Sequence, residues 1–308
     1  MMAHMFRGYG QNEIRPSLGK FTFFQLAVAR SLPRFAGDRV RAHFVDLLPF
    51  DPLASFEPAP IEVFIPSTPS DLDVAGAAIS GALKYITNPI EKIVIATPNP
   101  SEFKDLSTNA LTHISSDEEV LGESLLSEIL RVSKRWEGRI PGGWFVQQAL
   151  KIEFARKSKS AGVLVIDSDT VLIRPRNFLD TRGIQILSPS YELHSPYVDH
   201  FKSYFRLPHR ESKLSFVTHH QLLQPSIVRE MFPNSEAVLR WFSSGEDNSR
   251  SSPVSEYHSY GEYLNVMFPE QRVLSSFRNA PMPRSEIHKL YTFKEQELGS
   301  ISFHGYAT

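Results

Sequence analysis

Two carboxylates one residue apart end an apolar run: Gly162-Val163-Leu164-Val165-Ile166 leads into Asp167-Ser168-Asp169, and Thr170-Val171-Leu172-Ile173 follows. The β-branched and aliphatic residues read as a buried strand that delivers both acids to its carboxyl edge. That edge is where open α/β sheets place their ligands. Asp-x-Asp spacing suits a hard divalent cation, because Mg²⁺ or Mn²⁺ takes oxygen ligands and keeps positions open for water and substrate phosphates. The chemistry indicated is the handling of a phosphate-bearing substrate.

Other residues carry polar chemistry at telling spacings. Trp144, Gln148 and Lys151, behind Gly142-Gly143, share one helix face at intervals of four and three. That face offers a ring to stack and two polar ends, or is an amphipathic surface. Ser255 reads as a helix N-cap that sets Glu256 on the first turn, where the helix dipole favours the ionised carboxylate, with Tyr260 and Glu262 further along. Phe216-Val217-Thr218 reads as a strand leading into His219 and His220, and neighbouring side chains point apart, so one of the two histidines reaches a site. Asp71, in Phe64-Ile65-Pro66-Ser67-Thr68-Pro69-Ser70-Asp71, is a helix N-cap or an acceptor for a ligand's hydroxyl or N–H.

These groups need a scaffold. Ile61 to Ile65 and Lys92 to Ala96 read as strands around an Ala-rich helix from Asp73 to Ile86, a βαβ opening that implies a parallel sheet. Helices follow over Leu121 to Val132 and Trp144 to Lys157, then the Asp167 strand. Beyond Arg174 the pattern turns mixed, with short strands at Ile184 to Leu187, Ser215 to Thr218 and Arg272 to Ser275, and helices at Gln224 to Met231 and Glu256 to Phe268. The 308 residues, 41% hydrophobic, suffice for a large core. With 33 Lys and Arg against 34 Asp and Glu there is no global electrostatic case for nucleic acid. The absence of Cys removes disulfides and thiolate chemistry.

Asp167-Ser168-Asp169, behind a parallel half and before a mixed half, resembles the Asp-x-Asp motif of GT-A-fold glycosyltransferases. The resemblance implies an α/β, GT-A-like single domain with a Rossmann-like parallel nucleotide-binding half and a mixed-sheet acceptor half. It implies a cation, Mn²⁺ or Mg²⁺, on Asp167, Asp169 and on His304 of Ser302-Phe303-His304-Gly305-Tyr306, which resembles the family's late histidine. It implies a nucleotide-diphosphate sugar donor on Pro66, Ser67, Asp71, Gln148, Lys151, Asp167, Ser168 and Asp169. Glu256 becomes the base that takes the proton of an acceptor hydroxyl, with a glycan or glycolipid acceptor at His219, His220, Tyr260 and Glu262. The Ser-Glu-Tyr and Thr-His-His segments look similar to bacterial surface-polysaccharide enzymes. The alternatives are a Mg²⁺-dependent phosphatase of the haloacid dehalogenase type, which the Asp167, Asp169, Val171 spacing also resembles, and a catalytically silent sugar-nucleotide binding module.

The domain expected spans residues 59–308, preceded at 1–58 by a helical extension and a connector stiffened by Pro49, Pro52 and Pro58. Residues 20–41, aromatic and basic, are a candidate for peripheral contact with an anionic membrane. No apolar run reaches the roughly 20 residues that span a bilayer, so the expected location is the cytoplasm or the cytoplasmic face of a membrane.

Overall fold

Ile61–Pro66 is buried at all 6 positions, the pattern of a strand covered by helices on both faces, and the sheet grows outward from it. The computed structural model describes residues 47–107, 109–190, 194–207, 215–245, 252–276, 278–292 and 298–304. Along them run β1 (Ile61–Pro66), α1 (Leu72–Tyr85), β2 (Ile90–Thr97), β3 (Thr112–Ser116), α2 (Asp117–Leu121), α3 (Glu123–Ser133), α4 (Gly142–Lys157), β4 (Val163–Ile166) and β5 (Thr170–Leu172). There follow β6 (Gln185–Leu187), α5 (Ser195–Phe205), β7 (His220–Leu223), α6 (Pro225–Met231), α7 (Ser235–Ser243), α8 (Glu256–Met267), β8 (Arg272–Leu274), β9 (Asn279–Pro283) and β10 (Ser300–His304).

The main sheet has the order β3-β2-β1-β4-β7. β1 pairs in parallel with β2 and β4, and β2 with β3, while β7 runs antiparallel to β4. A second sheet, β5-β10-β9, is mixed, with β10 antiparallel to β5 and parallel to β9. The fold is therefore mixed α/β with a parallel half and a mixed-sheet half. Chain order reverses between β1 and β4, a switch point whose carboxyl edge opens a crevice. On one face of the sheet Phe64, Val94 and Val165 pack with Ile129, Phe145 and Trp241; on the other Val63, Ile65 and Ile95 pack with Ala75, Ala78 and Ala82 of α1.

The small residues of α1 have a geometric cause. A Cβ on Gly81 would lie 2.7 Å from the carbonyl oxygen of Leu172 and 2.9 Å from Val171 Cγ1. The helix rests almost on the backbone of β5, the strand that leaves the two aspartates.

Several elements differ from the sequence reading. The expected helix from Leu121 is interrupted by Gly122 at φ 83°, and Ser116 and Glu119 form a capping box that starts α2 earlier. The strand expected at Ser215 to Thr218 begins instead at His220, because it is Leu222 and Leu223 that fall into register with Leu164 and Val163. Phe216 packs against Gly261 of α8, where a Cβ would overlap its ring. The Pro-rich stretch before β1 is packed, not free: Leu53 is buried, its carbonyl accepts from Asn177 Nδ2 at 3.0 Å, and Pro58 bridges to Asp180. The helix expected near residues 20–30 and the membrane-contact stretch 20–41 lie outside the described residues. Among the described residues no helix is long and apolar enough to cross a membrane.

Gly81→Ala is expected to destabilise the protein by about 1–3 kcal/mol through overpacking against β5. Gly76→Ala, whose Cβ would meet only Leu106 Cδ2 at 3.4 Å, should be neutral or stabilising through its gain in helix propensity. Denaturant unfolding of the two variants checks this, and equal stabilities would mean that α1 does not press on β5.

Candidate functional site

The turn carrying the two aspartates is held on three sides by the backbone. Asp167 N donates to the His219 carbonyl at 2.9 Å, Thr170 N to the Asp167 carbonyl at 2.9 Å, and Phe303 N to the Asp169 carbonyl at 2.8 Å. The strands on either side thus fix where each carboxylate points: β7 anchors Asp167, and β10 anchors Asp169.

Lys151 of α4 sits at the centre. Its Nζ lies 2.7 Å from Asp167 Oδ1 and 2.7 Å from Glu256 Oε1, with the Tyr257 ring centroid 4.2 Å away. The lysine is 3% exposed, so burial works against its charge, yet the charges of Asp167 and Glu256 and the hydrogen bonds to both outweigh that and hold its pKa above the ordinary lysine value. The reciprocal effect acts on Asp167: burial pushes its pKa up, and Lys151 with His219 pulls it well below the usual carboxylate range. Tyr257 donates its hydroxyl to Asp167 Oδ1 at 2.9 Å. Burial, then the charges of Asp167 and Glu256, hold that phenol far above its ordinary pKa, in the protonated state that donates. Gln148 fixes the start of α8, its Oε1 accepting from Glu256 N at 3.1 Å, and Ser255 caps the helix through His258 N.

Asp169 faces a different environment. Its Oδ2 lies 2.9 Å from His304 Nδ1, so the late histidine does meet the acidic turn. Burial and then the charge of Asp167 raise the pKa of Asp169. Asp71 is bound by Arg284 Nη2 at 2.6 Å and by the Ser168 hydroxyl at 2.8 Å. Its side chain makes no bond to the backbone of α1, so the capping alternative is not the one realised, and Asp71 serves to tie Arg284 and Ser168 to the mouth of β1.

The three residues expected to share a cation are brought near one another but do not form one ligand set. Asp169 and His304 offer a carboxylate oxygen and an imidazole nitrogen that fit a hard or borderline ion. Asp167 is turned to Lys151 and Tyr257 instead. Among the described residues no three His, Cys, Asp or Glu side chains are placed to hold one metal ion.

Two cavities open along this edge. One, of about 460 Å³, is lined by Trp144, Gln148, Lys151, Asp167, His219, Glu256, Tyr257 and His304. The other, of about 370 Å³, lies over the carboxyl ends of β1, β2 and β3 and includes Pro66, Ser67, Pro98 and Asp117. Gln147 lines both. The structure thus gathers the helix face of Trp144, Gln148 and Lys151, the turn, Glu256 and His219 into one cavity, and sets Pro66 and Ser67 in its neighbour.

Three expected acceptor residues stand elsewhere. His220 faces away from His219, as strand alternation requires, and packs edge-on to Phe178 with Nε2 3.5 Å from Arg176 Nη1. Burial and then the Arg176 charge lower its pKa from 6.5 to about 3. Tyr260 lies in the core, donating to Gln185 Oε1 at 2.7 Å and accepting from Gln224 N at 2.8 Å. Glu262 is fully buried; six residues beyond Glu256, it projects about 240° round the helix from it.

Gln147, Tyr257 and Arg284 are the residues the sequence reading passed over. The first two adjoin residues it chose, and the four-and-three spacing that selected Gln148 hid Gln147 on the neighbouring stripe. Arg284 sits more than 200 positions from Asp71 in the sequence, and no local pattern marks it.

A model described as a family of unknown function, DUF6492, matches residues 80–192, the stretch from α1 through the acidic turn to the loop after β6. No curated protein matches the chain. Among solved structures, the apo form of mouse xyloside xylosyltransferase 1 is similar in fold, with 11% sequence identity, a TM-score of 0.43, and coverage of 81% of this chain and 99% of that one.

Replacing the central cation should be costly. Lys151→Met leaves two buried carboxylates facing each other and is expected to lower stability by about 3–5 kcal/mol, with much of the loss recovered when Asp167→Asn and Glu256→Gln are added. A single variant as stable as wild type would show that the ammonium is not what neutralises them. His220 gives a pH test. Its folded pKa lies below 6.5, so the unfolded chain takes up the proton first; its contribution is full above pH 6.5 and is lost as pH falls towards 3. Chemical denaturation across that range should show a shallower acid loss in His220→Gln, and parallel profiles would rule the histidine out as the cause.

Proposed function

We propose that the protein is a glycosyltransferase that moves a sugar from a nucleotide-diphosphate donor to an acceptor hydroxyl. The observation that carries the reading is the acidic turn at the carboxyl edge of the parallel sheet, where Asp167 lines a polar cavity that meets a second, more apolar one at Gln147. Charge supports it. Asp71, Asp73, Asp167, Asp169 and Glu256 are five carboxylates around the two fixed cations Lys151 and Arg284, an excess of negative charge at a place that must accept an anionic diphosphate. A divalent ion offsets part of that excess.

Asp169 and His304 are the residues that would hold Mn²⁺ or Mg²⁺, and such an ion supplies positive charge beside the leaving diphosphate. The remaining work falls to the protein's own side chains. Lys151 and His219 present N–H donors into the cavity for phosphate or sugar oxygens. Gln148, tied through Oε1 to Glu256, keeps its buried Nε2 without a protein partner and is available to a sugar hydroxyl. Trp144 offers an apolar face for a sugar ring. Glu256 takes the acceptor proton if configuration inverts, and its ion pair with Lys151 holds the carboxylate in position for that role. A retaining outcome leaves it a binding role. Membership of surface-polysaccharide synthesis is part of the same proposal and rests on the sequence resemblance alone; a cytoplasmic site of action is proposed from the sequence reading above.

The test is a panel of nucleotide sugars incubated with the full chain in Mn²⁺, Mg²⁺ or chelator, with release of nucleoside diphosphate measured. One donor class is expected to turn over with the metal. Asp169→Asn and His304→Ala should abolish the metal dependence, and Glu256→Gln should slow transfer by about 10²–10⁴-fold with donor binding retained. Phosphate release from a simple phosphomonoester, with no donor turned over, would replace this reading by the phosphatase.

A further inference from the structure

Asp169 and His304 come from distant parts of the sequence, and a closed circuit of hydrogen bonds fixes one against the other. Phe303, the neighbour of His304, donates its N–H to the Asp169 carbonyl at 2.8 Å. Its own carbonyl accepts from Arg284 Nε at 3.5 Å. Arg284 then reaches the loop after β1, where Nη2 donates to Asp71 Oδ1 at 2.6 Å and Nη1 to the Ser70 carbonyl. Asp71 Oδ2 accepts from the Ser168 hydroxyl at 2.8 Å. Ser168 is covalently joined to Asp169, so the circuit returns to its start.

A guanidinium suits the closing position. Its planar fork sends donors in fixed directions, here to a carbonyl of β10 and to a carbonyl and a carboxylate of the β1 loop, whereas an ammonium has one nitrogen for all three. β9 aims it: Pro283 is in register with His304, so Arg284 stands one residue beyond the histidine's own partner. The Arg284 and Asp71 side chains are 23% and 21% exposed, which sets them apart from a solvent-screened surface pair. Asp73, half exposed, adds a second carboxylate 3.6 Å from Nη1.

We infer that Arg284 is a positioning residue for the cation site: by holding the Phe303 peptide on one side and, through Asp71, Ser168 on the other, it sets the Asp169 carboxylate and the His304 imidazole at the separation an ion requires. This role rests on the proposed transferase reading, in which those two residues hold the ion. Arg284 is itself a cation with no lone pair to give, and its charge taken alone repels a divalent ion. Geometry and charge therefore act in opposite directions, and substitutions separate them.

Mn²⁺ alone, titrated into the full chain and followed by the paramagnetic resonance signal of the free ion, tests this. The proteins are wild type, Asp169→Asn, Arg284→Gln, Arg284→Lys, Asp71→Asn and Ser168→Ala, each first shown by its melting curve to be folded. Wild type should bind, and Asp169→Asn should lose the site. Arg284→Gln and Asp71→Asn should each weaken Mn²⁺ about tenfold or more, the usual effect of losing a partner just outside the ligands. Arg284→Lys, which keeps the charge, should weaken it nearly as much, and Ser168→Ala, which changes no charge, should weaken it less. Arg284→Gln combined with Asp71→Asn should bind no worse than the weaker single variant, since either one opens the circuit. A charge effect alone gives the reverse: Arg284→Gln tightens Mn²⁺, Asp71→Asn weakens it, Arg284→Lys is silent, and the double variant returns to wild type. That pattern, or unchanged affinity in Arg284→Gln, would overturn the positioning role and leave the transferase reading standing. Should Arg284→Gln not fold, Arg284→Lys decides by the same comparison, weakened binding supporting the role and wild-type binding overturning it. Folded wild type that binds no Mn²⁺ would overturn the cation assignment of the transferase reading, and the role of Arg284 with it.

Discussion

The structure around the acidic turn depends on one buried cation. Lys151 holds Asp167 and Glu256 at 2.7 Å each, and these come from separate elements: α4, the end of β4 and the start of α8. Without the ammonium, two carboxylates would confront each other in a place with little water, and neither the turn nor the α8 terminus could close on the cavity. Burial alone would drive the lysine to lose its proton. The charges and hydrogen bonds of Asp167 and Glu256 outweigh that burial and favour its charged form, and the dependence is mutual. Gln148, one turn before Lys151 on α4, adds the backbone link to Glu256, so a single helix face sets the geometry of the whole cavity.

The sheet supplies the second constraint. Parallel strands β1, β2, β3 and β4 end on the same edge, and the reversal of order at β1 and β4 parts the loops there. Two cavities lie along that edge, with α4 contributing to the walls of both and Gln147 lining both. The antiparallel β7 is what brings His219 opposite Asp167. The distant β10 is what brings His304 to Asp169, across 135 positions of sequence.

How much of this was legible beforehand follows the range of the interactions. The strand before Asp167, the βαβ opening and the helix face of Trp144, Gln148 and Lys151 are written in local periodicity, and they stand in the structure as read. The cap at Ser255 is local too, and it places Glu256 correctly at the start of α8. Non-local pairing was not legible. The strand assigned to Ser215 to Thr218 slid to His220 because its register is set by β4, and Tyr260 and Glu262 were drawn into the core by Gln185, Gln224 and the packing of α8. β9 and β10 are short, and the pairing of β10 with β5 across more than a hundred residues leaves no periodic trace. His304 was found only through resemblance, and Arg284 not at all, since its partner Asp71 lies at the opposite end of the domain.

The two aspartates of the turn, though one residue apart, are prepared for different tasks. Asp167 is drawn to an ammonium and a phenol, and its pKa is held low; it can neither gain a proton at ordinary pH nor leave its partners cheaply. Burial and then the repulsion of Asp167 raise the pKa of Asp169, against the His304 imidazole, His219 and the Thr170 hydroxyl at 3.3 Å. A group so placed gains most from an added positive charge. The same backbone hydrogen bonds that fix the turn thus divide it into a structural carboxylate, which organises Lys151 and Glu256, and a carboxylate under electrostatic stress beside His304. An Asp-x-Asp triplet read as two equivalent ligands misses that asymmetry. The asymmetry arises because alternate residues of a tight turn face different elements, here α4 with its buried ammonium and β10 with an imidazole.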